Sequence, residues 1–100
     1  MVRLLPLLLH FDRRISSKIV EMQQQREQAN HSDDLDQHTK LKDQIEFLVE
    51  KAREIRKLKE VKQMAVEQED YEVAKRLKDR IYHHMATLAH KFKIDFEEAS

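Results

Sequence analysis

The chain contains no glycine, and its single proline is Pro6. Every tight turn must therefore be built from residues that carry a Cβ, which removes the usual punctuation of two-residue β-hairpins. Good helix formers are abundant in its place. The expected fold class is all-α: helical hairpins in tandem, made from three helices with a long central one and packed in a coiled-coil-like manner. The same absence bears on chemistry. Phosphate-cradling loops and the dinucleotide fingerprint need glycine where backbone approaches ligand, so both nucleotide-site motifs are excluded.

With 100 residues, 38% charged and 40% hydrophobic, the chain suits one small helical domain and leaves little material for a deep pocket. Cysteine is absent, which removes disulfides, thiolate zinc sites and cysteine nucleophiles and is compatible with a reducing, cytoplasmic setting. Lysine plus arginine equals aspartate plus glutamate at 19 each, so no global field draws the chain to nucleic acid or an anionic membrane. The opening "MVRLLPLLLHF" is apolar but broken by Pro6, lacks a small-residue cleavage site and runs straight into "DRR". It is far shorter than the roughly 20 apolar residues a bilayer span takes. Residues 1–12 are expected to be an apolar strap that docks on a partner or on this chain.

Apolar spacing reads as three helices. Ile15, Ile19 and Met22 mark the first, from about Arg13 to Ala29, and "NHSDD" breaks it, with Asn30 suited to a left-handed conformation and Ser32, Asp33 or Asp34 to capping. The second carries Leu41, Ile45, Leu48, Ala52 and Ile55 at alternating steps of four and three, then Leu58, Val61, Met64 and Ala65. Consecutive steps of three turn that stripe backwards, so the first helix is expected to cover one half of the long helix and the third helix the other half. Asp70 is a good N-cap for the third, with Glu72 in its first turn and Tyr71, Ala74, Leu77, Ile81, Met85, Leu88 and Phe92 as its stripe. Charges fall in alternating acidic and basic blocks that suit helices folded back on one another. The final "DFEEAS" reads as frayed or partner-dependent.

An internal repeat is visible. "ANHSDDLDQHTKLKDQI", from Ala29, overlies "AVEQEDYEVAKRLKDRI", from Ala65, at an offset of 36 residues. Both run from a small residue through an acidic turn and an apolar residue to a helix ending in L-K-D-x-I. Residues 13–50 and 51–93 are thus expected to be two helical hairpins, with 94–100 as a tail. The first-repeat core is Leu35, Leu41, Ile45 and Leu48; the second is Ala65, Tyr71, Ala74, Leu77, Ile81, Met85 and Leu88, which also serve partner binding. Tyr71 is expected to plug the open end of its hairpin.

The second copy resembles the UVR motif, a short helical hairpin of bacterial excision-repair proteins, through Ala65, Tyr71, Glu72, Ala74, Leu77, Lys78, Asp79 and Ile81. Two copies at this spacing are most similar to the tandem repeats of the centrosomal protein of 104 kDa family, ciliary-tip and centriole scaffolds; the likeness covers roughly residues 15–90. The first copy departs from the pattern at Leu35, where an aromatic is expected, and at His38, where an alanine is. What the resemblance implies is a non-enzymatic adaptor in a centrosomal, ciliary or axonemal assembly, with other proteins as partners and possible tubulin contact. The alternative is a UVR-type module of DNA excision repair or a regulator of a Clp protease. A generic coiled-coil homodimer is a third reading.

Lys57, Lys59, Lys62, Lys78, Asp79 and Arg80 are the candidate charged contacts to a partner, with Asp79 more readily engaged by Lys75 or Arg76 on its own helix. No interleaved aromatic platform supports binding of single-stranded nucleic acid. His83 and His84 diverge around a helix and His90 lies two turns from His83, so neither metal nor cofactor is expected. The serines and threonines lie outside any nucleophile-elbow context, and no enzymatic activity is expected.

Overall fold

The computed structural model describes residues 11–96. They form three α-helices, α1 (Arg13–His31), α2 (Leu35–Glu67) and α3 (Tyr71–Phe92), and no strand is present among the described residues. The long central helix is continuous over 33 residues. Internal contacts divide the chain into two compact units at Glu50 and Lys51, so α2 contributes its first half to one unit and its second half to the other.

In the first unit, Asp12 caps α1 by accepting a 2.8 Å hydrogen bond from the Arg14 backbone N–H. The buried residues are Phe11, Ile15, Ile19, Met22 and Ala29 before the turn, and Leu41, Ile45, Leu48 and Val49 after it. They sit at helical spacing, one stripe per helix, as two antiparallel helices require. In the second unit the stripe runs through Ala52, Ile55 and Ala65 of α2 and through Ala74, Leu77, Ile81, Leu88 and Phe92 of α3.

The two turns are built alike, 36 residues apart. After α1, the Asp34 N–H returns to the Ala29 carbonyl at 2.9 Å and the Asp33 N–H to that of Asn30 at 3.3 Å. After α2, Asp70 returns to Ala65 at 2.8 Å and Glu69 to Val66 at 3.0 Å. This is the Schellman closure, in which one left-handed residue lets the chain satisfy the last helical carbonyls. Glycine normally supplies that residue; here Asp33 (φ 58°) and Glu69 (φ 61°) do so. The left-handed residue of the first turn is therefore Asp33 and not Asn30, which remains inside α1. Asp34 and Asp70 then cap the following helices, accepting from Gln37 at 3.2 Å and Val73 at 3.3 Å.

Several sequence expectations are corrected by burial. Leu35 and Tyr71 are not core residues: they stand 64% and 63% exposed. Each stands roughly 90–110° around its helix from the middle of the buried stripe, Leu41, Ile45 and Leu48 in α2 and Ala74, Leu77 and Ile81 in α3, and so lies beside the seam rather than in it. Val61 and Met64 are also exposed, because beyond Leu58 the seam continues through half-buried Lys62 to Ala65. Lys62 can occupy it by laying its methylene stem along apolar surface while its ammonium reaches water. Met85 is half-buried.

At the chain ends, the expected strap lies outside the described residues except for Phe11 and Asp12. The C-terminal segment is not free from its start. Lys93 adopts a left-handed conformation (φ 56°), the Ile94 N–H returns to the Ala89 carbonyl at 3.2 Å, and Ile94 is buried with Phe96 half-buried. A left-handed residue after a helix turns the chain back over the last turn, which carries Ile94 to the apolar side.

Candidate protein-interaction surface

The repeated backbone places the motif residues as follows. Ala65, Ala74, Leu77, Ile81 and Leu88 form the buried seam of the second hairpin, and Leu41, Ile45 and Leu48 are buried in the first. Small Ala65 and Ala74 face the seam next to the turn, where helices joined by so few residues must approach closely. The first hairpin has His38 in place of Ala74, and accommodates it half-buried with the Arg26 side chain donating from Nε to His38 Nε2 at 3.2 Å. A polar pair thus stands where the second hairpin has Lys62 and Ala74, the residues 36 positions on.

Charge is organised mainly along helices. Lys18 pairs with Glu21 at 3.5 Å, Lys51 with Glu54 at 3.4 Å, Arg56 with Glu60 at 3.3 Å and Arg76 with Glu72 at 3.6 Å. His84 Nε2 approaches Glu54 from α3 to α2 at 3.8 Å, and the His83 and His84 rings meet edge-on with centroids 6.4 Å apart. Pairs this exposed contribute about 0–1 kcal/mol each. Asp79 departs from expectation: it has no ion pair among the described residues, and Arg76 is held by Glu72 instead. An acid four residues N-terminal to its cation is the favoured orientation on a helix, which Glu72 satisfies and Asp79 does not.

The six proposed charged contacts do not form one patch. Lys57 and Lys59 are exposed on α2 but diverge around the helix, while Lys62 is half-buried in the seam. Lys78, Asp79 and Arg80 are exposed on consecutive positions of α3 and point in different directions. Among the described residues no group of histidines, aspartates and glutamates is arranged to hold a metal ion, and no helix is long and apolar enough to cross a membrane.

Comparison with protein families, characterised proteins and solved structures finds no match to this chain. The repeat itself therefore supplies the available standard of comparison. At four surface positions where the first hairpin is polar the second is apolar: Gln25 becomes Val61, Gln28 becomes Met64, Asn30 becomes Val66 and Glu46 becomes Tyr82, against one reverse exchange, exposed Val20 to Arg56. All four replacements are exposed, Tyr82 most of all at 72%. The UVR-like pattern contains Tyr71 but not Tyr82, although the two stand 11 residues, about three helical turns, apart; the sequence signal for Tyr82 is its contrast with Glu46 at the equivalent solvent-facing position.

Proposed function

We propose that this chain is a non-enzymatic protein–protein interaction adaptor that uses helical hairpins in a centrosomal, ciliary or axonemal microtubule assembly. The observation that carries the adaptor reading is the departure of one repeat copy from the other. Two hairpins share a turn, a cap and a seam, yet exposed apolar side chains accumulate on the second. A monomeric surface gains nothing from exchanging Gln28 for methionine or Glu46 for tyrosine, whereas a binding surface does, since covering apolar area is worth about 25 cal/mol per Å². The cytoskeletal setting rests on the similarity to tandem UVR-like repeats, carried by Ala65, Tyr71, Ala74, Leu77 and Ile81.

Proximity labelling with the full chain in ciliated cells tests both parts. The expected neighbours are centriolar or axonemal proteins, tubulin among them if contact with the microtubule is direct. Recovery of excision-repair or Clp proteins without such neighbours overturns the cytoskeletal placement. A labelling pattern no different from that of an inert helical control overturns the adaptor reading itself.

A further inference from the structure

We propose that the exposed face of α3 formed by Tyr71, Lys75, Lys78 and Tyr82 docks an acidic amphipathic helix of a partner protein. This rests on the adaptor reading and deepens it, naming the face and the chemistry of its occupant. The four positions are spaced i, i+4, i+7 and i+11, which brings them within about 60° of one another around the helix and spreads them over roughly 16 Å of its axis. All four are exposed. Two aromatic rings flank two cations, and neither Lys75 nor Lys78 has an ion-pair partner among the described residues.

The first hairpin is an internal control. Its corresponding face is Leu35, Thr39, Lys42 and Glu46, on a hairpin closed by the same hydrogen bonds. Forming the hairpin thus requires neither aromatic ring nor a second lysine at these positions. All three differences, Leu35 to Tyr71, Thr39 to Lys75 and Glu46 to Tyr82, change the surface in one direction, toward a ring-bounded basic stripe.

Charge decides the occupant. A helix with apolar side chains at its ends and carboxylates one and two turns between them matches the tyrosines and lysines in order, and tyrosines are residue types on which binding energy concentrates. A second copy of this face brings lysine onto lysine. Nucleic acid is disfavoured by Glu72 and Asp79, which follow Tyr71 and Lys78 along one edge of the stripe. A discrete helix can keep its acids away from that edge, whereas a phosphate backbone carries charge along its whole length. One helical face is small for a protein interface, so micromolar affinity and sensitivity to salt are expected.

The test is a titration of the isotopically labelled full chain, followed by NMR, with a helix-stabilised peptide of about four turns. The peptide carries leucine at its first and twelfth positions, glutamate at its fifth and eighth, and an alanine–glutamine background. Perturbations should centre on Tyr71, Lys75, Lys78 and Tyr82, and a charge-inverted peptide should not bind. Lys78→Glu with Tyr82→Glu should weaken binding about tenfold or more with unchanged circular dichroism. Thr39→Lys with Glu46→Tyr should create a second saturable site on the first hairpin. Absence of binding, perturbations spread equally over the first hairpin of the unaltered chain, or full affinity in the Lys78→Glu, Tyr82→Glu variant each overturns the proposal. So does tighter binding of a single-stranded oligonucleotide at this face, or self-association of the free chain that the variant abolishes. If the face fails but the full chain retains specific protein neighbours in cells, the adaptor reading survives alone; if those neighbours are absent, both fall.

Discussion

Replacing Glu69 with glycine should stabilise the second hairpin, a result that cannot be reached by counting side-chain contacts. Glu69 holds φ 61° so that its own N–H can meet Val66 and the next N–H can meet Ala65. A residue with a Cβ in this region carries a penalty of about 1–2 kcal/mol, which glycine avoids. Against this, glycine gives the unfolded chain extra freedom, worth about 0.4–1 kcal/mol. The net expectation is a gain of roughly 0.5–1 kcal/mol. Glu69→Ala is the control, since it removes the carboxylate but keeps the Cβ, and glycine should exceed alanine by about 1 kcal/mol. Urea denaturation followed by far-UV circular dichroism measures the difference as a shift in midpoint at constant slope. Asp33→Gly should gain less, because aspartate tolerates the left-handed region better than glutamate. Glycine no more stabilising than alanine at position 69 would refute the reasoning, showing that the turn does not hold this conformation in solution.

Three further outcomes follow from the same structure. Asp34→Ala and Asp70→Ala should each cost about 1 kcal/mol in denaturation midpoint experiments, and by similar amounts, because each removes one side-chain acceptor from equivalent backbone donors. Leu88→Ala, at a position with no exposed surface, should cost about 2–5 kcal/mol; a loss below 1 kcal/mol would mean that the seam does not extend to it. Tyr71→Asp should leave thermal stability within about 0.5 kcal/mol of the parent, since the ring is largely in water. A large loss there would return Tyr71 to the core.

The sequence expresses the periodic features of this fold well. Ile15, Ile19 and Met22, then Leu41, Ile45 and Leu48, then Ala74, Leu77 and Ile81 recur at helical spacing and are buried. Acid caps before L-K-D-x-I locate the starts of α2 and α3. What spacing does not express is how a chain without glycine closes its turns. The left-handed residues, Asp33 and Glu69, have side chains that do not announce the conformation, whereas Asn30 does and is helical. Lys62 is hidden for a related reason: hydropathy scores its ammonium, while a half-buried lysine can line a seam with its methylene stem. Leu35 and Tyr71 mislead in the opposite sense. Their apolar character suggests burial, but their position around the helix sets them beside the seam. The exposed Tyr71, Lys75, Lys78 and Tyr82 face becomes legible only when one copy is set against the other.

The shared central helix has a genealogical consequence. The helix that closes one hairpin also opens the next, so equivalent turns can recombine with closure and cap intact, the pairing of Arg26 with His38 being the seam contact that changes. An unequal crossover between the turn after Ala29 and the turn after Ala65 adds or removes one 36-residue period and leaves a helix–turn–helix junction of the kind already present. A lineage built on this chain is free to change length in whole periods, and each added copy arrives with a surface that selection can alter while its neighbour keeps the original.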